Sequence, residues 1–142
     1  MSAQITAQRN GAIWRPAFVK GSLNAADSLT LSATSASTNS SGYTKVDSLV
    51  FTVFCSGTGS YKLHDNQVFY ATFTNNGLNE YKIDTTYNNA LNITGYQSLN
   101  NSSPMNPNQI KITGTFDIKF IDPNNPAGIS FSNGTFNTVV NQ

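Results

Sequence analysis

The run "QIKITGTFDIKF" alternates without a break. Ile110, Ile112, Gly114, Phe116, Ile118 and Phe120 fall on one side, and Lys111, Thr113, Thr115, Asp117 and Lys119 on the other. A period of two over that length predicts a strand with one buried and one wet face. Gly114 takes an inward position with no side chain to pack, which predicts a bulge, a bend or close approach of another backbone. The tripeptide Gly-Thr-Phe returns in "ISFSNGTFNTVV", where Asn133-Gly134 sits between two β-rich runs. That dipeptide predicts a two-residue type I′ hairpin with Phe131 opposite Phe136. On this reading the tripeptide is no internal repeat, but one strand interior and one turn.

The amino end carries the same signal. In "ITAQRNGAIWRP", a turn at Asn10-Gly11 pairs Ala7 with Trp14 and Ile5 with Pro16. Further strands are predicted at Ser28–Ala33, Asp47–Cys55, Ser60–Leu63, Val68–Thr74, Glu80–Asp84 and Leu91–Gln97. In "QVFYATF" the more apolar parity puts Phe69, Ala71 and Phe73 inward and Tyr70 outward. "SATSASTNSSGYTK", "NNSSPMNPNQ" and "IDPNNPAG" read as loops. No helical period of apolar residues is sustained anywhere. The prediction is an all-β fold: an antiparallel β-sandwich or flattened barrel of about nine or ten short strands, in one domain spanning 1–142. Its core should include Ile112, Phe116, Ile118, Phe131, Phe136, Val53 and Phe69.

Composition narrows the class of partner. Charged residues are only 11 % of the chain, while Asn, Ser and Thr number 19, 16 and 16. Such residues compete for nearby backbone groups and so favour turns and strand faces over helix interiors. The eight Lys and Arg are scattered and the net charge is +1, which leaves no basic patch for nucleic acid. A single cysteine, Cys55, rules out a disulfide framework within the chain. It lies in the apolar run "LVFTVFC", with no neighbouring cation to activate a thiolate. No run approaches the ~20 apolar residues of a membrane span. "MSAQITAQRN" has neither the basic start nor the apolar centre of a signal peptide. The Asn/Ser/Thr-rich surface favours a chain that begins after a removed export signal.

Candidate chemistry is sparse. His64, the sole histidine, adjoins Asp65; neighbours on a strand point to opposite faces, so the two make no relay there, and only a turn would bring them together. One histidine, one cysteine and scattered acids give no zinc spacing. "SGTGS" lacks the Lys and helix start of a phosphate loop. Asp122 in "DPNNP" is a single local carboxylate, short of the oxygen set that calcium needs. No catalytic residue, cofactor or metal is therefore expected. Ligand contact falls to aromatic faces and neutral hydrogen bonds, with Trp14, Tyr70 and Tyr96 as candidates.

"ITAQRNGAIWRP", "GTGSYKL", "YKIDTTYNNALNITGYQ" and "KITGTFDIKF" with "ISFSNGTF" resemble, in that order, a family of small exported Bacteroidota lipoproteins of unknown function. The resemblance implies a β-sandwich or lipocalin-like domain in the periplasm or on the outer-membrane surface of a Gram-negative bacterium. It also implies anchoring by an upstream lipidated cysteine; Cys55 is internal and does not match it. The expectation is a monomeric, non-catalytic binding or structural domain. Its ligand would be a glycan, a peptide or a small apolar molecule. A hydrolase whose acid/His site assembles only in the fold is the alternative.

Overall fold

Eleven antiparallel strands arise from these runs, in chain order β1 (Gln4–Arg9), β2 (Ala12–Trp14), β3 (Phe18–Leu23), β4 (Ser28–Thr38), β5 (Thr44–Phe54), β6 (Gly59–Lys62), β7 (Val68–Thr74), β8 (Gly77–Ile83), β9 (Ala90–Ser98), β10 (Gln109–Asp122) and β11 (Asn125–Asn141). The structure, a computed structural model, describes residues 3–24, 28–38, 40–42, 44–54, 57–64, 67–74, 77–99 and 109–141, none of them helical. Cys55, Tyr43, Asp65 and most of "NNSSPMNPNQ" lie outside the described residues.

The strands form one sheet in the order β2-β1-β11-β10-β8-β7-β5-β4-β3, with β9 also on β10 and β6 on β9. Strand twist, sharpened by register shifts between β1 and β11, β10 and β11, and β9 and β10, curls this sheet into a flattened half-barrel. The curl brings β3, at one end of the order, against β11 and β1 near the other. Gly21 of β3 packs on the Thr138 side chain of β11, yet no hydrogen-bonded ladder joins them. A seam is left there.

Along one edge of β10, β9 and β8 follow each other, and the break between them is filled by Asn89. Its buried amide donates to the Asp84 and Tyr87 carbonyls at 2.8 and 3.1 Å and accepts the Lys119 N–H at 2.8 Å. One side chain thus satisfies backbone groups that the interrupted ladder would leave unpaired.

The interior is filled. Phe51, Phe116, Phe120, Phe131, Tyr70, Leu29, Leu31, Leu49, Leu91, Ile112 and Ile118 are all almost fully buried. Six of the seven core residues expected from sequence are buried, and Phe69 is the exception at 42 % exposure. In β7 both parities are apolar, so side-chain character cannot choose the face. Pairing with Leu49 and Tyr81 turns Tyr70 inward, to 1 % exposure, and Phe69 and Phe73 outward.

The Asn10-Gly11 hairpin forms as predicted, with φ of 51° and 84° and Ala7 paired to Trp14. It ends there. By alternation, Ile5 and Pro16 would be a hydrogen-bonded pair, and Pro16 has no N–H to give. Asn133-Gly134, by contrast, is not a turn. β11 runs straight through it, and Ser132 and Asn133 stand against the single residue Asp117 of β10 as a bulge, with Asn133 at φ 50°. Phe131 faces Ile118 and Arg9, not Phe136. The two Gly-Thr-Phe segments instead pair with each other: Gly114 with Phe136, Thr115 with Thr135, Phe116 with Gly134.

Two expected loops are largely strand. Ser32–Thr38 extends β4 in continuous register with β5, from Ser32 against Val50 to Thr38 against Thr44. "IDPNNPAG" is a hairpin tip that pairs Asp122 with Asn125. In both, cross-strand pairing overrides a weak local preference.

Candidate functional site

The polar groups inside the barrel come from strands far apart in sequence. Arg9 of β1 donates from Nη1 to Asp47 Oδ2 of β5 and, at 3.3 Å, to Tyr70 Oη of β7. Lys45 Nζ stands 3.9 Å from Asp47 Oδ1. The Asp47 side chain is almost fully buried and that of Arg9 reaches solvent. Burial, then the nearby Asp47 carboxylate, push the Tyr70 phenol up to about 12, against the opposing charge and hydrogen bond of Arg9. A phenol held in this way stays protonated at neutral pH and is no base or nucleophile. The cluster ties β1 to β5 and β7 across the interior.

The seam is the more open feature. A groove of about 660 Å³ lies between the first residues of β1 and the outer side of β3 and β4. That volume is within the range of ligand sites, roughly 300–1,000 Å³. Arg15 and Lys20 line it, together with Phe18, which is 70 % exposed; Gln4, Thr6, Ser32 and Thr34 add neutral hydrogen-bonding groups. No carboxylate is among its described lining residues.

The backbone at this groove is as telling as the side chains. Asn24 N–H bonds the Ser28 carbonyl at 3.1 Å, so the hydrogen-bonded pairs of β3 with β4 fall at Ser22, Lys20 and Phe18. Val19, Gly21 and Leu23 then turn their N–H and C=O to the other edge, where no strand is paired. On β1 the stop at Pro16 leaves Ile5 in the same position. Two unpaired strand edges flank the groove.

The sequence candidates lie elsewhere. Trp14 is 5 % exposed and stacks edge-on against Phe131, with ring centroids 4.9 Å apart. Tyr70, read as outward, is in the core against Phe131, Phe120 and Tyr81. Both are walls of the packed interior. Tyr96 is half-buried on β9 and packs against the core. His64 lines a separate cavity of about 360 Å³ with Ser28, Thr52, Phe54 and Gln67, where no carboxylate is among the described lining residues. Its backbone N–H donates to Gln67 Oε1 at 2.9 Å. At Asp122, Oδ1 accepts the Asn124 N–H at 2.9 Å and serves the hairpin tip. Among the described residues no three His, Cys, Asp or Glu converge as metal ligands.

Fold and groove define a filled, flattened antiparallel half-barrel with an external cationic groove at its seam. Residues 1–140 match the family described as a domain of unknown function, DUF6252, and the chain belongs to that family. No curated protein and no solved structure matches it.

Proposed function

We propose that this domain is a non-catalytic binding module of an exported, lipid-anchored cell-envelope protein, and that it holds an extended anionic ligand in the groove between β1 and β3. The observation that carries this reading is the groove itself: an exposed Phe18 beside Arg15 and Lys20, with neutral hydrogen-bonding groups around them and no acid among the described lining residues. An aromatic platform supplies contact area, and two cations select negative charge. The filled interior disfavours a small apolar ligand inside the barrel. The resemblance to exported lipoproteins supports the location.

Calorimetric titration of the domain with acidic oligosaccharides and acidic peptides tests the site. Binding should weaken at least tenfold in Lys20→Glu and in Phe18→Ala, and stay unchanged in His64→Ala. A ligand that binds all three variants as well as the parent places the site elsewhere. Labelling of the natural full-length protein with a radioactive fatty acid tests the anchor, and an unlabelled protein contradicts it.

A further inference from the structure

Resting on that reading, we infer that the ligand of the groove is an extended acidic peptide that adds a strand to the open edge of β3 and closes the seam of the barrel. The backbone argues for a strand. Val19 directs its N–H and C=O toward the groove from β3, and Ile5 does so from β1. A peptide lying along Val19 pairs its alternate residues with the β3 edge, the geometry of strand addition to a free sheet edge, with Ile5 beside it. A glycan uses side chains and rings and has no need of paired edges. The open part is short, because beyond Val19 the edge meets β11, where Gly21 packs on Thr138. A segment of a few residues therefore fills it.

Charge argues for acid and against a second copy of this chain. Arg15 and Lys20 face the groove with no carboxylate among its described lining residues. Edge-to-edge pairing of two β3 strands would bring the same cationic edges together. Lysine on an edge strand is a common barrier to such self-pairing. An acidic strand turns the same residues into attraction.

The test titrates the domain with a hexapeptide of alternating Glu and Val. Its controls are the same peptide with alternate backbone nitrogens methylated, and an oligogalacturonate of equal charge. The parent peptide should bind. Binding should fall at least tenfold on methylation, in Lys20→Glu and in Val19→Pro, which removes an edge N–H and leaves the β4 ladder intact. Bound peptide should slow hydrogen exchange at the Val19 and Ile5 amides.

Oligogalacturonate binding with no peptide binding, or equal binding of the methylated peptide, overturns the strand and leaves the groove reading standing. Binding of either probe that ignores Lys20→Glu overturns both. A free-protein dimer by sedimentation that Val19→Pro dissociates makes a second copy the occupant and overturns the peptide. No peptide binding at millimolar concentration also overturns the inference.

Discussion

Gly114 of β10 stands directly across from Phe136 of β11, and the Phe136 ring occupies the space that a side chain at Gly114 would need. Two residues on, the arrangement is reversed, with Phe116 lying over Gly134. Each glycine is covered by the other segment's phenylalanine, so a weak point of the ladder is packed shut.

This pairing predicts unequal costs for two alanine substitutions. A Cβ at Gly114 would collide with the Asn92 carbonyl oxygen as well as with Phe136, whereas for one at Gly134 the nearest atoms are those of the Phe116 ring, at 2.5 Å. Gly134→Ala should cost about 1–3 kcal/mol, the usual range for overpacking, and Gly114→Ala at least as much. Adding Phe116→Leu should recover part of the Gly134→Ala loss. Phe136→Leu should recover less of the Gly114→Ala loss, because backbone cannot move aside as a ring can. Urea denaturation of the two double variants reads the difference.

The interior ion pair predicts a second asymmetry. Removing Arg9 leaves the nearly buried Asp47 carboxylate only the longer contact with Lys45, at 3.9 Å, while removing Asp47 leaves a guanidinium that still reaches solvent. Arg9→Met should therefore cost about 3–5 kcal/mol and Asp47→Leu distinctly less. The double variant should be more stable than Arg9→Met alone. Equal losses for the two single variants would show that Asp47 is hydrated in solution.

Tyr70 gives the alkaline behaviour. Its folded value of about 12 lies above the ordinary 10.0, so the folded chain keeps a proton that the unfolded chain releases. The stability from this group is complete below pH 10 and is lost as pH rises through 12, in total about 2–3 kcal/mol. Tyr70→Phe should flatten the fall in denaturation free energy between pH 10 and 12. An unchanged slope would mean that Tyr70 ionises as freely folded as unfolded.

Trp14, enclosed beside Phe131, should emit at short wavelength and resist iodide quenching. It should also be indifferent to ligand in the groove. Strong quenching in the folded protein would contradict its place in the core.

How much of this was legible beforehand depends on parity. Where one face was plainly apolar, as from Ile110 to Phe120, strand and face followed directly. In "VFYATF" either face could have been the inner one, and only the neighbouring strands decide. Asp47 and Arg9 were findable: each shares its parity with inward residues, Leu49 and Phe51 in one case, Ile5 and Ala7 in the other. A charge on an inward parity signals a partner across the core. β3 gave no such sign, because Gly21 interrupts the apolar side of a six-residue strand. The groove was hidden with it, since the hairpin sets Arg15 beside β1 but only the curl of the whole sheet brings Lys20 there.

Hydrogen exchange at single amides of free β1 and β3 tests most directly whether the barrel has an open seam. The Lys20 and Ser22 amides bond to Ser32 and Thr30 of β4 and should be protected, as should Thr6, which faces β11. Val19 and Ile5, turned to unpaired edges, should exchange markedly faster than these neighbours. Val19 and Ile5 amides protected as well as Lys20 and Thr6 would mean that the edges are already paired in solution, with no groove left to receive a ligand.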